Sequence, residues 1–308
     1  MNNKVAGVCY FLRPCSLLGI QALAGSFYHL WLAERALPTV YANCEITAEI
    51  KAAFAAGSVG PDIGFFPGGP SAFSHRVHLH RCGEFLREMY QRADGGVEKA
   101  FVAGWALHVY TDMAVHPWVQ ERVDEMLCSG IKPAIPDLWH MRLEWGVDCR
   151  LLAMEGMQAL WKAELCFPQR KDGSSLLGDV GADFYTGDAD EDLLAAGALA
   201  TGRWLLRIPN IMWWCGHTAR QGRSPSLWRK LVFGRLGRRV VGDGLQYWPY
   251  FKDAAALASP LLPTEEVVDH VVALGEEVIE NFCQGWEQDF TQLANVDLYR
   301  GEVEDAGK

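Results

Sequence analysis

His108 and Asp112 stand four residues apart in an apolar stretch, and so do His140 and Glu144. On an α-helix that spacing puts imidazole and carboxylate on one face, where the two side chains meet. His116 follows Asp112 by one further turn, and Asp148 follows Glu144 in the same way. Two helices that each present nitrogen and carboxylate inward make a metal-binding core of the kind built between facing helices. A ligand set without thiolate suits zinc in a catalytic site, where one coordination position stays open for water. One pair alone reads equally well as a buried, hydrogen-bonded couple. Two pairs favour a cation, because burying carboxylates without a compensating charge is costly. The chemistry implied is metal-assisted hydrolysis.

Helices must position these residues, and the apolar periodicity places them. Ser26–Leu37 reads as a helix around His29, stopped by Pro38, and Glu45–Ala56 as a second that ends at Gly57. Residues 57–70 form a Gly/Pro-rich loop carrying Asp62, and Glu84–Ala93 is helical. Val97–Val115 is a strongly apolar helix that stops ahead of Pro117, since the residue before proline disfavours the helical ψ. Trp118–Leu127 then starts again, and Pro136–Leu165 is long and amphipathic with Asp137 as N-cap. Lys171–Asp188 is Gly/Asp-rich and reads as a loop, while Asp190–Leu206 and Thr264–Phe290 are helices. Strand-like alternation is nearly absent. The expected fold is therefore all-α, a multi-helix bundle with a metal cluster in its core.

Seven of the nine histidines precede residue 141, which puts the chemistry in the N-terminal half. Residues 1–25 read as an N-terminal extension and residues 26–300 as one domain, with a metal-binding half (26–165) and a helical C-terminal half (166–300). That second half is expected to supply core, substrate walls or an interface. Residues 301–308 read as a frayed tail.

Half of the 308 residues are hydrophobic and 21% are charged, enough apolar surface for a sizeable core. A net charge of -10 disfavours general affinity for nucleic-acid backbones, although a metal cluster adds local positive charge that this count omits. The nine cysteines include no C-x-x-C pair, and an odd number of scattered thiols points to a reducing, cytoplasmic setting. An atypical signal peptide is the other reading of the N-terminus: Arg13-Pro14 interrupts its apolar run, and small residues follow at Ala22–Gly25. No apolar run reaches the ~18–20 residues of a membrane span.

In order, the ligand-type residues are His29, Asp62, His78, His108, Asp112, His116, His140 and Glu144. This series resembles the zinc-dependent phospholipase C family, as do the segment Gly57-Ser-Val-Gly-Pro-Asp62-Ile63 and the string Gly104-Trp-Ala-Leu-His-Val-Tyr-Thr-Asp-Met-Ala-Val-His-Pro117. The resemblance covers residues 26–150. It implies an all-α fold and a three-zinc site shared with single-strand nucleases of the P1/S1 type. By that resemblance Asp62, His78, His108 and Asp112 hold one zinc, and His116, His140 and Glu144 a second. His29, with Asp112 bridging, forms part of a third. Asp62 is also placed like the family's group that orients or deprotonates the attacking water.

Two departures stand out. In secreted members a tryptophan becomes the mature N-terminus and completes the third site, whereas no tryptophan precedes His29 here. The Asp112-to-His116 spacing of four is shorter than in the best-known secreted phospholipases, but it keeps both residues on one helical face.

Several residues carry a plainer reading as well. Asp62 after Gly-Pro suits a turn, and His29 suits an apolar core. His75 and His80 compete with His78, which sits best relative to the following Cys82-Gly83-Glu84-Phe85. Asp148 reads as a partner for a histidine ring nitrogen or as a surface residue. His217 and His270 fall outside the pattern, and the basic stretch Arg220–Arg239 reads as a solvated face or a transient contact with a membrane surface. The expected function is phosphoester hydrolysis by metal-activated water using two or three zinc ions, with a phospholipid headgroup favoured as substrate. A P1/S1-like nuclease or small-phosphodiester hydrolase, and a non-catalytic metal-stabilised scaffold, remain the alternatives.

Overall fold

A computed structural model describes residues 25–42, 44–66, 69–128, 163–207 and 265–303, together with 140, 143–144, 147–148, 151–152 and 154. Its helices are α1 (Ser26–Val40), α2 (Ala48–Ser58), α3 (Ser71–Leu79), α4 (Cys82–Arg92), α5 (Gly95–Cys128), α6 (Leu176–Phe184), α7 (Glu191–Arg207) and α8 (Glu265–Glu287). A 3-10 turn, Pro61–Gly64, joins α2 to the loop before α3. His140, Leu143, Glu144, Val147, Asp148, Leu151 and Leu152 are helical too, at the three- and four-residue spacing of a single face. The fold is all-α. Its one extended feature among the described residues is a two-residue antiparallel pairing of β1 (Val296–Asp297) with β2 (Glu302–Val303).

The buried core runs along α5, from Ala100 and Phe101 through Trp105 and Leu107 to Val119 and Val123. Helix α2 crosses α5 where two glycines meet backbone. A Cβ on Gly57 would lie 2.0 Å from the Phe101 carbonyl oxygen, and one on Gly104 would lie 2.0 Å from that of Phe54. Close approach at this crossing brings the C-terminal end of α2, and the turn bearing Asp62, against the histidine face of α5.

Several boundaries differ from the sequence-based expectation: α3 lies where no helix is expected, α2 and α5 are shifted by two or more residues at their starts, and α8 ends at Glu287 rather than Phe290. Helix α5 runs straight through Pro117. Proline removes one N–H, but a single missing helical bond is tolerated where packing holds the flanks, and here Gly301 packs directly on the Pro117 ring. Likewise α1 continues past Pro38 to Val40. Residues 171–188 contain a helix rather than only loop: the Ser175 hydroxyl caps it by accepting from the Gly178 N–H, and Leu176, Leu177 and Val180 are buried. Ala163–Leu165 are not helical, and Cys166 N–H donates to the Ala52 carbonyl instead. Arg220–Arg239, His217 and the first 24 residues lie outside the described residues. No helix among the described residues is long and apolar enough to cross a membrane.

The α2–α5 crossing yields a test. Gly104→Ala should cost about 2–3 kcal/mol in denaturant unfolding, because an added methyl at backbone contact forces the helices apart. An unchanged midpoint would show that the crossing is not close-packed.

Candidate metal centre

Helix α5 presents His108, Asp112 and His116 on successive turns, each 7% exposed or less. Around them stand His29 from α1, Asp62 from the 3-10 turn, His78 from α3, and the pair His140 and Glu144. All eight ligand-type residues picked out in the sequence meet there, and the competing histidines do not. His80 is an exposed C-cap of α3, and the His75 ring packs against Phe65.

Asp112 is the hub. Its Oδ2 lies 3.1 Å from His108 Nε2 and 3.5 Å from His78 Nε2. Its Oδ1 lies 3.3 Å from His29 Nε2 and 3.4 Å from His116 Nε2. Asp62 Oδ1 approaches His78 Nε2 at 3.3 Å and His108 Nε2 at 3.9 Å. Glu144 Oε1 lies 2.9 Å from His116 Nε2 and 3.1 Å from His140 Nε2.

Hydrogen bonding behind the rings shows what these atoms are for. His78 Nδ1 lies 2.7 Å from the Ser74 carbonyl oxygen, His108 Nδ1 is 2.9 Å from that of Ser58, and His116 Nδ1 is 2.7 Å from that of Leu298. A carbonyl only accepts, so each Nδ1 must carry the proton. In neutral rings every Nε2 lone pair then points inward, and two of them, on His78 and His108, face each other at 3.3 Å. Lone pairs so opposed need a cation between them. This outer arrangement is the usual way a protein fixes the tautomer of a metal-binding histidine.

The spacing fits the ion. A tetrahedral zinc shell with bonds of about 2.0–2.1 Å has ligand-to-ligand edges of about 3.3 Å. Among Asp62 Oδ1, His78 Nε2, His108 Nε2 and Asp112 Oδ2 the separations given above run from 3.1 to 3.9 Å. Three ligand groupings can hold a metal: His29, His108 and Asp112; Asp62, His78 and His108; and His116, His140 and Glu144. His108 is common to the first two groupings. A cavity of about 20 Å³ opens beside Asp112, His116 and Glu144, room for one water-sized species.

Charge tells the same story. Burial opposes protonation of His108 and His116, yet the surrounding carboxylates win and raise them to about 9 and about 10. Burial works against ionisation of Asp112 and Glu144, but the imidazoles hold both carboxyls below their usual range. Burial, helped by His108, lowers His29 and keeps its ring neutral. The cage is a strongly negative volume that demands positive charge, as protons or as metal.

Local anchors hold the ligands. The Ser74 hydroxyl donates to the Pro61 carbonyl at 2.5 Å and accepts from the Gly64 N–H at 2.8 Å, tying the turn that bears Asp62 to the helix that bears His78. Asp148 is fully buried, and it holds backbone rather than a histidine ring. Its two oxygens accept from the N–H groups of Phe27 and Tyr28 at 3.2 and 2.9 Å, which fastens the start of α1, and so His29, to the face bearing Glu144. Burial pushes its carboxyl well above the ordinary range.

Sequence reasoning missed Leu298 and Tyr299. The Leu298 carbonyl sets the His116 tautomer, and the Tyr299 ring lies across three of the imidazoles. A backbone carbonyl leaves no mark in the sequence, and nothing around Tyr299 signals metal chemistry.

The description of zinc dependent phospholipase C matches residues 28–186, just over half of the chain. The chain belongs to the zinc-dependent phospholipase C family, a class of zinc-dependent phosphoester hydrolases. No curated protein and no solved structure matches it. Residues 298 and 299 lie beyond the matched segment.

Stability in chelator should depend on pH on both sides. Asp112 and Glu144 contribute above their ordinary values of 3.8 and 4.5, and that contribution is lost as pH falls. His108 and His116, raised from 6.5, contribute fully below pH 6.5, and that contribution is lost as pH climbs through about 9 and about 10. The melting temperature in EDTA should therefore fall between pH 6.5 and 9, and added zinc should remove the fall by replacing the lost protons. Identical melting curves with and without zinc across that range would count against the metal centre.

Proposed function

We propose that the protein hydrolyses phosphodiesters at a phospholipid-type headgroup. The observation that carries this reading is the set of inward-facing Nε2 atoms fixed from behind by carbonyls and interleaved with buried carboxylates. Asp62, His78, His108 and Asp112 would hold one zinc, and His116, His140 and Glu144 a second. His29 and the Oδ1 of Asp112 face a place for a third. Zinc held there supplies Lewis-acid charge to the phosphoryl oxygens and lowers the pKa of water from about 16 to about 7.

The chain's own residues do the rest. Asp112 spans the ligand groups through its two oxygens and fixes their separation. Asp62 orients the attacking water and takes its proton. The water oxygen bonds to phosphorus as the in-line P–O bond to the alkoxide breaks, and the alkoxide takes up the proton received by Asp62, leaving a phosphomonoester and an alcohol. Glu144 and the imidazoles complete a fixed polar environment in which developing charge needs no solvent rearrangement. The acidic balance of the chain supports a lipid headgroup over a polyanionic nucleic-acid backbone. The thiols of Cys44, Cys128, Cys166 and Cys283, in no disulfide among the described residues, support action in a reducing, cytoplasmic compartment.

Zinc-loaded protein offered phosphatidylcholine, single-stranded DNA and bis-p-nitrophenyl phosphate should release phosphocholine from the first. Cleavage of DNA instead would assign it to the P1/S1-type activity, and turnover of the small diester alone to a small-phosphodiester hydrolase. Full zinc occupancy without turnover of any of them would leave a metal-stabilised scaffold and overturn the reading. Asp112→Asn should abolish turnover and release at least one metal by elemental analysis. Asp62→Asn should lower kcat by about 10²- to 10⁴-fold, the range expected for a lost general base.

A further inference from the structure

The segment after α8 lies along the centre in a fixed register. The Arg87 guanidinium donates to the Leu293 carbonyl, and the Glu84 N–H donates to Asn295 Oδ1 at 2.9 Å. Asn295 Nδ2 returns a bond to Glu84 Oε1 at 2.6 Å, and Val296 N–H donates to Cys82 Sγ at 3.2 Å. The Leu298 N–H donates to the His78 carbonyl at 2.8 Å. Two glycines allow the close approach: a Cβ on Gly83 would lie 2.4 Å from the Ala294 carbonyl oxygen, and one on Gly301 would lie 2.6 Å from the Pro117 ring.

This strap delivers one aromatic side chain to the metal-binding imidazoles. The Tyr299 ring stacks on His78 at 5.6 Å and 28°, and on His116 at 6.0 Å and 16°. It meets His140 near-perpendicularly at 6.2 Å and 74°. His78 belongs to one ligand group, and His116 and His140 to another. Leu298 repeats the link in its backbone, bonding His78 through its N–H and His116 through its carbonyl. An imidazole is electron-poor when its nitrogen is bound to a cation, so an aromatic face laid against it is favourable and resists ring rotation.

We propose that Tyr299 is a positioning residue of the metal centre, holding the imidazoles of His78, His116 and His140 at the angles from which Nε2 reaches the metal and coupling the two ligand groups through one ring. The proposal rests on the metal reading above and is independent of the substrate.

The test uses the full-length protein loaded with cobalt, whose visible absorption reports ligand geometry, with zinc affinity measured by chelator competition. Tyr299→Leu keeps apolar bulk but removes the aromatic face. It should weaken binding of the last metal by about 10- to 100-fold, the effect of losing an outer partner of a ligand histidine, and alter the cobalt spectrum. Tyr299→Phe should restore both to within about two-fold. The melting temperature in EDTA should be the same for Tyr299→Leu and the parent, since a positioning role is expressed only with metal bound. Wild-type affinity and spectrum in Tyr299→Leu would overturn the proposal. So would a weakened affinity accompanied by an equal loss of stability in EDTA, which marks a purely structural residue. Failure of the parent protein to take up metal would instead overturn the metal reading, and the proposal with it. Loss of metal binding in Tyr299→Leu while no phosphoester is turned over by the parent would support the proposal and reject only the hydrolase.

Discussion

Everything in the structure defers to one constraint: three carboxylates cannot remain ionised in an apolar core unless positive charge is brought to them. Asp62, Asp112 and Glu144 are drawn out of water, and continuum reasoning makes an uncompensated buried carboxylate far too costly to keep. The imidazoles around them do not solve this as a simple ion-pair network. The Nδ1 protons of His78, His108 and His116 are already committed to backbone carbonyls, so their inward nitrogens offer lone pairs unless a second proton is taken up. Divalent cations relieve both the acid excess and the facing lone pairs at once.

Helix α5 is the instrument of that arrangement. Its i, i+4, i+8 row of His108, Asp112 and His116 sets a straight line of ligands, and the remaining elements are docked to it. The glycine crossing with α2 places the last carbonyl of α2 behind His108. Ser74 locks the Asp62 turn to α3, and Asp148 locks α1 to the Glu144 face. Each anchor joins elements far apart in the chain, so metal affinity and tertiary stability are expressions of the same packing. The strap at 293–303 adds a further wall from outside the part of the chain that matches the family.

Much of the site was legible because ligand chemistry and helical spacing leave direct traces. The pairs His108/Asp112 and His140/Glu144 needed only the four-residue period, and the family resemblance ordered His29, Asp62 and His78 around them. Proline and glycine misled at the boundaries. Pro117 and Pro38 read as stops, yet tertiary packing tolerates one lost helical bond at each. The glycines of residues 171–188 read as loop, while a serine cap and three buried apolar residues make a helix there. The spacing of Asp148 points to a ring nitrogen or to the surface, but its oxygens hold backbone N–H groups whose positions no sequence pattern records.

The sequence by itself determined the class of fold, the ligand types and the shared faces of His108, Asp112 and His116 and of His140 and Glu144, since these follow from residue chemistry and from 3.6-residue periodicity. Tertiary structure alone decided which carbonyl fixes each tautomer. It alone brought Leu298 and Tyr299 onto imidazoles at least 159 positions earlier in the chain. The reason is physical: periodicity records a direction about a helix axis. Convergence on a point depends on how close the axes come, and that is set by glycine contacts and backbone hydrogen bonds between distant elements.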